Sequence, residues 1–165
     1  MDGARPGAGR FEPAPTIRID IVPPACHQAA NPRGGVPVSE QAVISQDAPE
    51  PRGPYPHIRV HGDSAWITGQ IGRDPATGDF VEGGFEAEFH QAITNLENIL
   101  AEVGATLADV VHTNVQFVNE DDLDAMNRIY GERFPVPYPA RISYGVAFLW
   151  KGAQVQIDAE VRLAS

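Results

Sequence analysis

The 165-residue sequence has one cysteine, no long apolar run and few basic residues. Cys26 alone can form no disulfide within the chain and no cysteine-based metal site, so a reducing, cytoplasmic location is the default expectation. No run of about 18 apolar residues is present, which excludes a membrane-spanning helix. The first ten residues lack an apolar segment, so we expect no secretory signal.

Positive charge is scarce, because 12 Lys and Arg stand against 22 Asp and Glu, for a formal net charge of -10. Binding along a phosphate backbone needs clustered Lys and Arg, so we expect neither a nucleic-acid nor a membrane partner. One local cationic pocket for a small acid is still compatible with this charge. Hydrophobic residues make up 42% of the chain, which is enough for a core and excludes wholesale disorder.

Proline is concentrated in the first third of the chain, with 11 of 15 prolines in residues 1–56. Proline lacks a backbone donor and fixes φ, so this stretch is neither continuous helix nor central strand. The pattern predicts a Pro/Gly-rich N-terminal extension, residues 1–43, followed by one α+β domain, residues 44–165. Residues 16–22 alternate and fit an edge strand. The extension is either an arm or tail, or a binding or regulatory segment.

Hydrophobic periodicity predicts the order β-β-α-β-α-β-β after residue 56. Gly104 suits the left-handed end of the first helix, and Asn119 suits the start of the second. Helices on one face leave the other sheet face to be covered, so we expect an oligomer. The predicted elements are a hairpin of 57–61 and 65–68, helices over 85–103 and after 119, and strands over 109–118, 141–149 and 154–163. In the strand over 109–118, one face is predicted to carry Val111, Thr113, Val115 and Phe117.

Arg141 is the first candidate for chemistry, because it begins a strand directly after a rigid proline loop. A guanidinium held there can form a bidentate pair with a carboxylate, and an ordinary salt bridge is the alternative. Tyr55 follows the turn residues Gly53-Pro54. Either its hydroxyl enters a pocket, or its ring only packs against neighbouring residues. In the last strand, alternate residues share a face that meets either solvent or a cleft between subunits. These residues are Gln154, Gln156, Asp158 and Glu160.

Metal and nucleophile motifs are missing from the sequence. The five histidines lack the spacing of a zinc motif, and no nucleophile elbow or phosphate-binding glycine loop is present. Cys26 has no evident activating base. We therefore expect no metal site.

A series of short motifs, in order and spacing, resembles the Rid family, the reactive intermediate deaminases or YjgF-like proteins. The resemblance covers residues 44–163 and agrees with the predicted order of elements. The matching pieces are Ala48-Pro49, Gly53-Pro54-Tyr55, Ile67-Thr68-Gly69-Gln70-Ile71, Asp74-Pro75-Ala76-Thr77-Gly78, Gln91-Ala92, Asn95-Leu96, Gly104-Ala105, Asn127 with Tyr130 and Phe134, and Pro139-Ala140-Arg141.

Membership of this family implies a chorismate-mutase-like sheet, two helices on one face, and a homotrimer with three clefts between subunits. It implies hydrolysis of reactive enamines and imines to 2-keto acids and ammonia, with no cofactor or metal. Arg141 falls on the arginine that holds the substrate carboxylate. Tyr55, Gly69 and Asn127 fall on positions that line the same cleft.

Gln156 departs from the family pattern, since family deaminases place a glutamate there to activate the attacking water. Glutamine can orient a water but cannot take its proton. Asp158 lies on the same strand face but about 6–7 Å further along. The alternative to a deaminase is therefore a non-hydrolytic member, either a biosynthetic tailoring enzyme for cyclisation or condensation, or a small-carboxylate-binding trimer. A nuclease role, sometimes attached to the family, is disfavoured by the negative charge.

Overall fold

The computed structural model describes residues 40–164, which form one six-stranded sheet and two α-helices. The spatial order of the strands is β1-β2-β3-β6-β4-β5, with β4 and β5 parallel and the other neighbours antiparallel. The elements are β1 (Glu40–Val43), β2 (Ile58–His61), β3 (Ser64–Ile71), α1 (Gly84–Ala101), β4 (Val110–Phe117), α2 (Leu123–Arg133), β5 (Ala140–Gly145) and β6 (Val155–Arg162).

The core lies between the helices and one face of the sheet. Along β6, Val155 and Ile157 are fully buried while the residues between them face away from the core. From α1, Phe89, Ile93 and Leu96 fill the same core and are also fully buried. This arrangement confirms the predicted mixed α+β class, because α1 and β6 bury the stripes that their periodicity indicated.

Both helices occur where the periodicity placed them, and their ends follow local rules. Gly104 has a φ of 71°, the left-handed conformation expected just past α1. The Asn119 side chain accepts a hydrogen bond from the Asp121 amide and caps a short 3-10 turn that leads into α2. The strand expected over 141–149 is shorter, because β5 ends at Gly145.

Val111 does not share the buried face of β4, and that expectation is wrong. Val110 pairs with Val161 and His112 pairs with Glu160, so Val111 is an extra residue in β4. This β-bulge reverses the alternation at one point. Val111 is therefore 45% exposed, whereas Val110 is buried with Thr113, Val115 and Phe117.

The edge strand β1 lies in a part of the chain for which no strand was predicted. β1 pairs with β2 at the sheet edge, although residues 40–43 belong to the range predicted as an N-terminal extension. The possible edge strand over 16–22 and Cys26 lie outside the described residues. No helix within residues 40–164 is both long and apolar enough to cross a membrane.

The sheet face opposite the helices carries large side chains. Trp66 on β3 is 44% exposed, and Ile142 and Tyr144 on β5 are exposed to a similar degree. Along each strand these three residues alternate with residues that face the core or lie at the sheet edge. Their side chains therefore project from the sheet face opposite the helices, here called the open face. Apolar and aromatic groups grouped on one face are typical of a surface that another protein covers.

Candidate functional site

A β-bulge in β3 creates the centre of the candidate site. Ile67 pairs with Ala159 and Gln70 pairs with Ile157, so Thr68 and Gly69 together lie opposite Asp158. The bulge lets both Ile67 and Gln70 point into the core, although they are three residues apart. It also brings the backbone of Gly69 under the side chain of Gln156.

Gln156 lies on the open face with one end of its amide already engaged. Its Nε2 donates to Oε1 of Gln116 at 3.1 Å. Among the described residues, its Oε1 has no hydrogen-bond donor. A carbonyl oxygen of this kind can accept a hydrogen bond from water and orient it, but it cannot remove the proton.

Tyr55 reaches the same region from the loop before β2. Its ring packs over Gly53, where a Cβ would lie 2.6 Å from the ring carbon Cε1. Tyr55 lines two neighbouring cavities of about 190 and 490 Å³. The smaller one, here called the inner cavity, and the larger outer cavity share Tyr55, Thr68, Gly69 and Gln156.

His57 anchors the loop that carries Tyr55, a role the sequence did not indicate. The imidazole is almost fully buried; its Nδ1 accepts from the Ser45 amide at 2.9 Å and its Nε2 donates to the Pro49 carbonyl at 3.0 Å. Burial lowers the pKa of His57, and the hydrogen bond to Pro49 offsets part of that effect. Both ring nitrogens are satisfied in the neutral form, so His57 positions the wall of the inner cavity.

Arg141 and Asn127 form a second group, at the edge of the sheet beside α2. Arg141 donates from Nη2 to Oδ1 of Asn127 at 2.6 Å, and its Cζ lies 4.7 Å from the centre of the Tyr130 ring. The Tyr130 hydroxyl is hydrogen-bonded to Thr113 at 2.8 Å, and burial raises its pKa. Within residues 40–164, no carboxylate is close enough to form an ion pair with Arg141. The Arg141 guanidinium is thus held in place, and it still has N–H groups that can donate hydrogen bonds to a ligand.

The two groups lie on opposite faces of the sheet in one subunit. Arg141 is in register with Thr113, which is fully buried on the helix side. Gln156 lies between the buried residues Val155 and Ile157 and so points to the open side. The structure therefore brings Tyr55, Gly69 and Gln156 together and places Arg141 with Asn127 elsewhere.

The inner cavity also contains a buried cation that sequence reasoning missed. Arg73 lines it together with Arg52 and Trp150. No local pattern marks Arg73 as buried, because it stands beside the turn residues Asp74-Pro75. No group of three His, Cys, Asp or Glu side chains that could hold a metal ion occurs in the described part of the chain.

A family model described as endoribonuclease L-PSP, the YjgF/Rid family, matches residues 45–163. The chain belongs to the Rid family. The family resemblance noted from the motifs is thereby confirmed. The matched range begins just after β1, so this edge strand lies outside it.

Several relatives of this Rid-family chain are named as imine deaminases, and others are named RutC family proteins. A 2-iminobutanoate/2-iminopropanoate deaminase of Dermatophagoides farinae is 38% identical over 125 residues, covering 75% of this chain and 98% of that protein. The Homo sapiens protein of the same name is 36% identical, covering 72% and 87%. The crystal structure of RidA from an Antarctic Psychrobacter species superposes with a TM-score of 0.72 at 33% identity, covering 74% and 99%.

Proposed function

We propose that this Rid-family protein is an enamine/imine deaminase, which hydrolyses reactive 2-imino and 2-enamino acids to 2-keto acids and ammonia. The observation that supports it most is the Arg141 guanidinium, held by Asn127 and Tyr130 with no carboxylate partner among residues 40–164. A fixed guanidinium with free donors suits the carboxylate of a small substrate. The names of the relatives point to the same chemistry.

The proposed reaction needs only a positioned acid group and a positioned water. Arg141 holds the substrate carboxylate, and Oε1 of Gln156 accepts a hydrogen bond from the water. The water oxygen bonds to the carbon of the protonated imine while the C=N π electron pair moves to nitrogen, and the proton that this water loses passes through solvent to that nitrogen. The C–N bond then breaks with its electron pair leaving on ammonia, and the hydroxyl proton goes to solvent as the ketone forms. A protonated imine carbon is already electrophilic, so this step tolerates glutamine where a general base would be stronger.

We place this reaction in clefts between the subunits of a homotrimer. Arg141 and Gln156 point to opposite faces of one sheet, so a single subunit does not offer both to one small molecule. The exposed Trp66, Ile142 and Tyr144 fit an open face that a second copy covers. Each cleft then combines Tyr55, Gly69 and Gln156 of one subunit with Arg141 and Asn127 of its neighbour.

The test follows the decay of an imine produced in situ by an amino-acid oxidase, with ammonia release as a second readout. We expect wild type to accelerate the decay and Arg141→Ala to lose about 10²-fold or more of that effect, since a charged hydrogen-bonded pair is lost. Arg162→Ala removes an equal charge from an exposed ion pair with Asp63 and is expected to behave as wild type.

Wild-type activity in Arg141→Ala would contradict the proposed mechanism. Absence of any acceleration by wild type, together with binding of a 2-keto acid, would instead favour the non-hydrolytic alternative, a tailoring enzyme or a carboxylate-binding trimer.

A further inference from the structure

Arg73 is a buried guanidinium in the wall of the inner cavity. Only 4% of its surface is exposed. Its Nε donates to the Gly78 carbonyl at 2.6 Å and its Nη1 to the Glu50 carbonyl at 3.4 Å. The Trp150 ring lies 5.5 Å from its Cζ. These contacts fix the plane of the guanidinium in one orientation.

The charge of Arg73 is not matched by an acid in direct contact. Within residues 40–164, no carboxylate lies at ion-pair distance from it and its Nη2 makes no hydrogen bond. Burial lowers the pKa of Arg73 and the nearby Arg52 lowers it further, whereas Asp79 and Glu50 act in the opposite direction with smaller effects. A buried charge without a partner is unfavourable, so an anion in the cavity would stabilise it.

Arg52 brings a second cation to the same place. A Cβ built on Gly78 would lie 2.9 Å from Nη2 of Arg73 and 3.7 Å from Nη2 of Arg52. Both guanidinium groups therefore approach one turn, and both line the inner cavity. Two guanidinium groups thus meet at one cavity, whose lining also includes Glu50, in a chain with a net charge of -10.

The inner cavity opens onto the atoms of the proposed reaction. It is bounded by Gln156, Gly69 and Tyr55, which also bound the outer cavity. Its volume of about 190 Å³ is below the roughly 300–1,000 Å³ of sites for drug-sized ligands. It thus suits one short acidic group that extends from a reacting centre beside Gln156.

We propose that Arg73 and Arg52 form a second anion subsite, which selects imino and enamino acids that carry a further carboxylate on the side chain. This inference rests on the proposed function for the reaction itself. Arg141 of the neighbouring subunit holds the carboxylate next to the imine, and the Arg73 subsite holds the distal carboxylate. The preferred substrates are thus imines derived from acidic amino acids.

Kinetics test the selectivity directly. Oxidases generate the imines of glutamate and aspartate, and those of alanine and 2-aminobutyrate, and kcat/KM is measured for each. We expect wild type to prefer the dicarboxylates, and Arg73→Met to lower that preference about 10- to 100-fold, the range of one charged hydrogen-bonded contact. Arg73→Lys is expected to keep part of the preference. Arg162→Gln, at the exposed ion pair with Asp63, is expected to keep all of it and to hydrolyse the monocarboxylate imines at the wild-type rate.

Calorimetry provides a readout that does not depend on hydrolysis. We expect wild type to bind 2-oxoglutarate more tightly than 2-oxobutanoate, and Arg73→Met to lose the difference. Because Arg73 also bonds the Gly78 turn, Arg52→Gln, at an exposed position, serves as a second variant if Arg73→Met fails to fold.

The two proposals fail in different ways. Equal binding of the two keto acids by wild type, or a preference unchanged in Arg73→Met and Arg52→Gln, would overturn the anion subsite and leave the deaminase proposal standing. Arg73-dependent binding of 2-oxoglutarate without hydrolysis of any imine would support the subsite and contradict the proposed function.

Discussion

The side chain of Gln156 occupies the space beside Gly69 in which any other residue would place its Cβ. A Cβ built on Gly69 would lie 2.6 Å from both Cδ and Nε2 of Gln156. The β3 bulge creates this approach by setting Thr68 and Gly69 opposite one residue of β6. The absence of a side chain at Gly69 therefore determines where the amide of Gln156 can lie.

Gly69→Ala is expected to lower deaminase activity about 10²-fold with little loss of stability. The added methyl group meets the flexible end of Gln156, which moves away at small cost, and displacing a positioning group by about 1 Å can reduce the rate to this extent. Imine decay and thermal unfolding are measured together. Gly131→Ala on α2, where a Cβ meets only ordinary contacts, is the control and is expected to keep its activity. A fully active Gly69→Ala would show that the position of the Gln156 side chain does not affect the rate of imine hydrolysis.

Gln156→Glu is expected to increase the rate of imine hydrolysis, up to the roughly 10²–10⁴-fold that a general base contributes. A carboxylate at this position can accept the proton of the attacking water, and the Gln116 amide can rotate to donate to it. The measurement is kcat against pH, in which the variant gains an acidic limb that wild type lacks. Gln156→Leu, of similar size without polar atoms, is expected to fall below wild type. Equal rates in all three proteins would remove Gln156 from the mechanism.

Mixing two inactive variants tests whether each site is shared between subunits. Arg141→Ala lacks the guanidinium, and Gly69→Trp blocks the cavity beside Gln156. In the proposed homotrimer, refolding from an equal mixture gives intact clefts at about a quarter of the interfaces, because each cleft needs one half from each variant. We expect about a quarter of wild-type activity from the mixture and only a residual level from either variant alone. No recovery would place Arg141 and the cavity in the same subunit.

His57→Gln is expected to destabilise the fold and to reduce its sensitivity to acid. The Ser45 amide and the Pro49 carbonyl lose their buried partners, at a cost of about 1–3 kcal/mol. Because burial holds the folded-state pKa of His57 below the ordinary histidine value of 6.5, the unfolded chain binds the proton first as the pH falls. The contribution of His57 is therefore complete above that value and is lost as the pH falls towards the folded-state pKa.

Urea unfolding at pH 7.5 and pH 5.5 measures this difference. The loss of stability on acidification should be smaller in His57→Gln than in wild type. His61→Gln, on an exposed histidine at the end of β2, should retain the wild-type dependence. An equal dependence in all three proteins would contradict the assigned role of His57.

Much of the fold followed from local patterns. The apolar stripe of α1, the Asn119 cap and the alternation of β6 depend on residues a few positions apart, and each predicted its element. The two bulges were not predictable in this way. Whether Val111 turns outwards, or Gly69 comes under Gln156, depends on the register of a partner strand more than 40 residues away.

The residues of the candidate site likewise divide into those that a local motif indicated and one that only the structure revealed. Tyr55, Gly69, Asn127, Arg141 and Gln156 were each indicated by motif, and their roles stay predictions. Arg73 was missed, because its burial comes from Glu50, Gly78 and Trp150 rather than from any nearby pattern.

The sequence by itself determined the mixed α+β class, the two helices, the strands after β1, and membership of the family, since periodicity, caps and short motifs are local properties. Only the tertiary structure decided which of these residues meet. It set Arg141 and Gln156 on opposite faces of the sheet and joined Arg73 and Arg52 at one cavity. Such contacts depend on strand register and on loops distant in the chain, which no local pattern encodes.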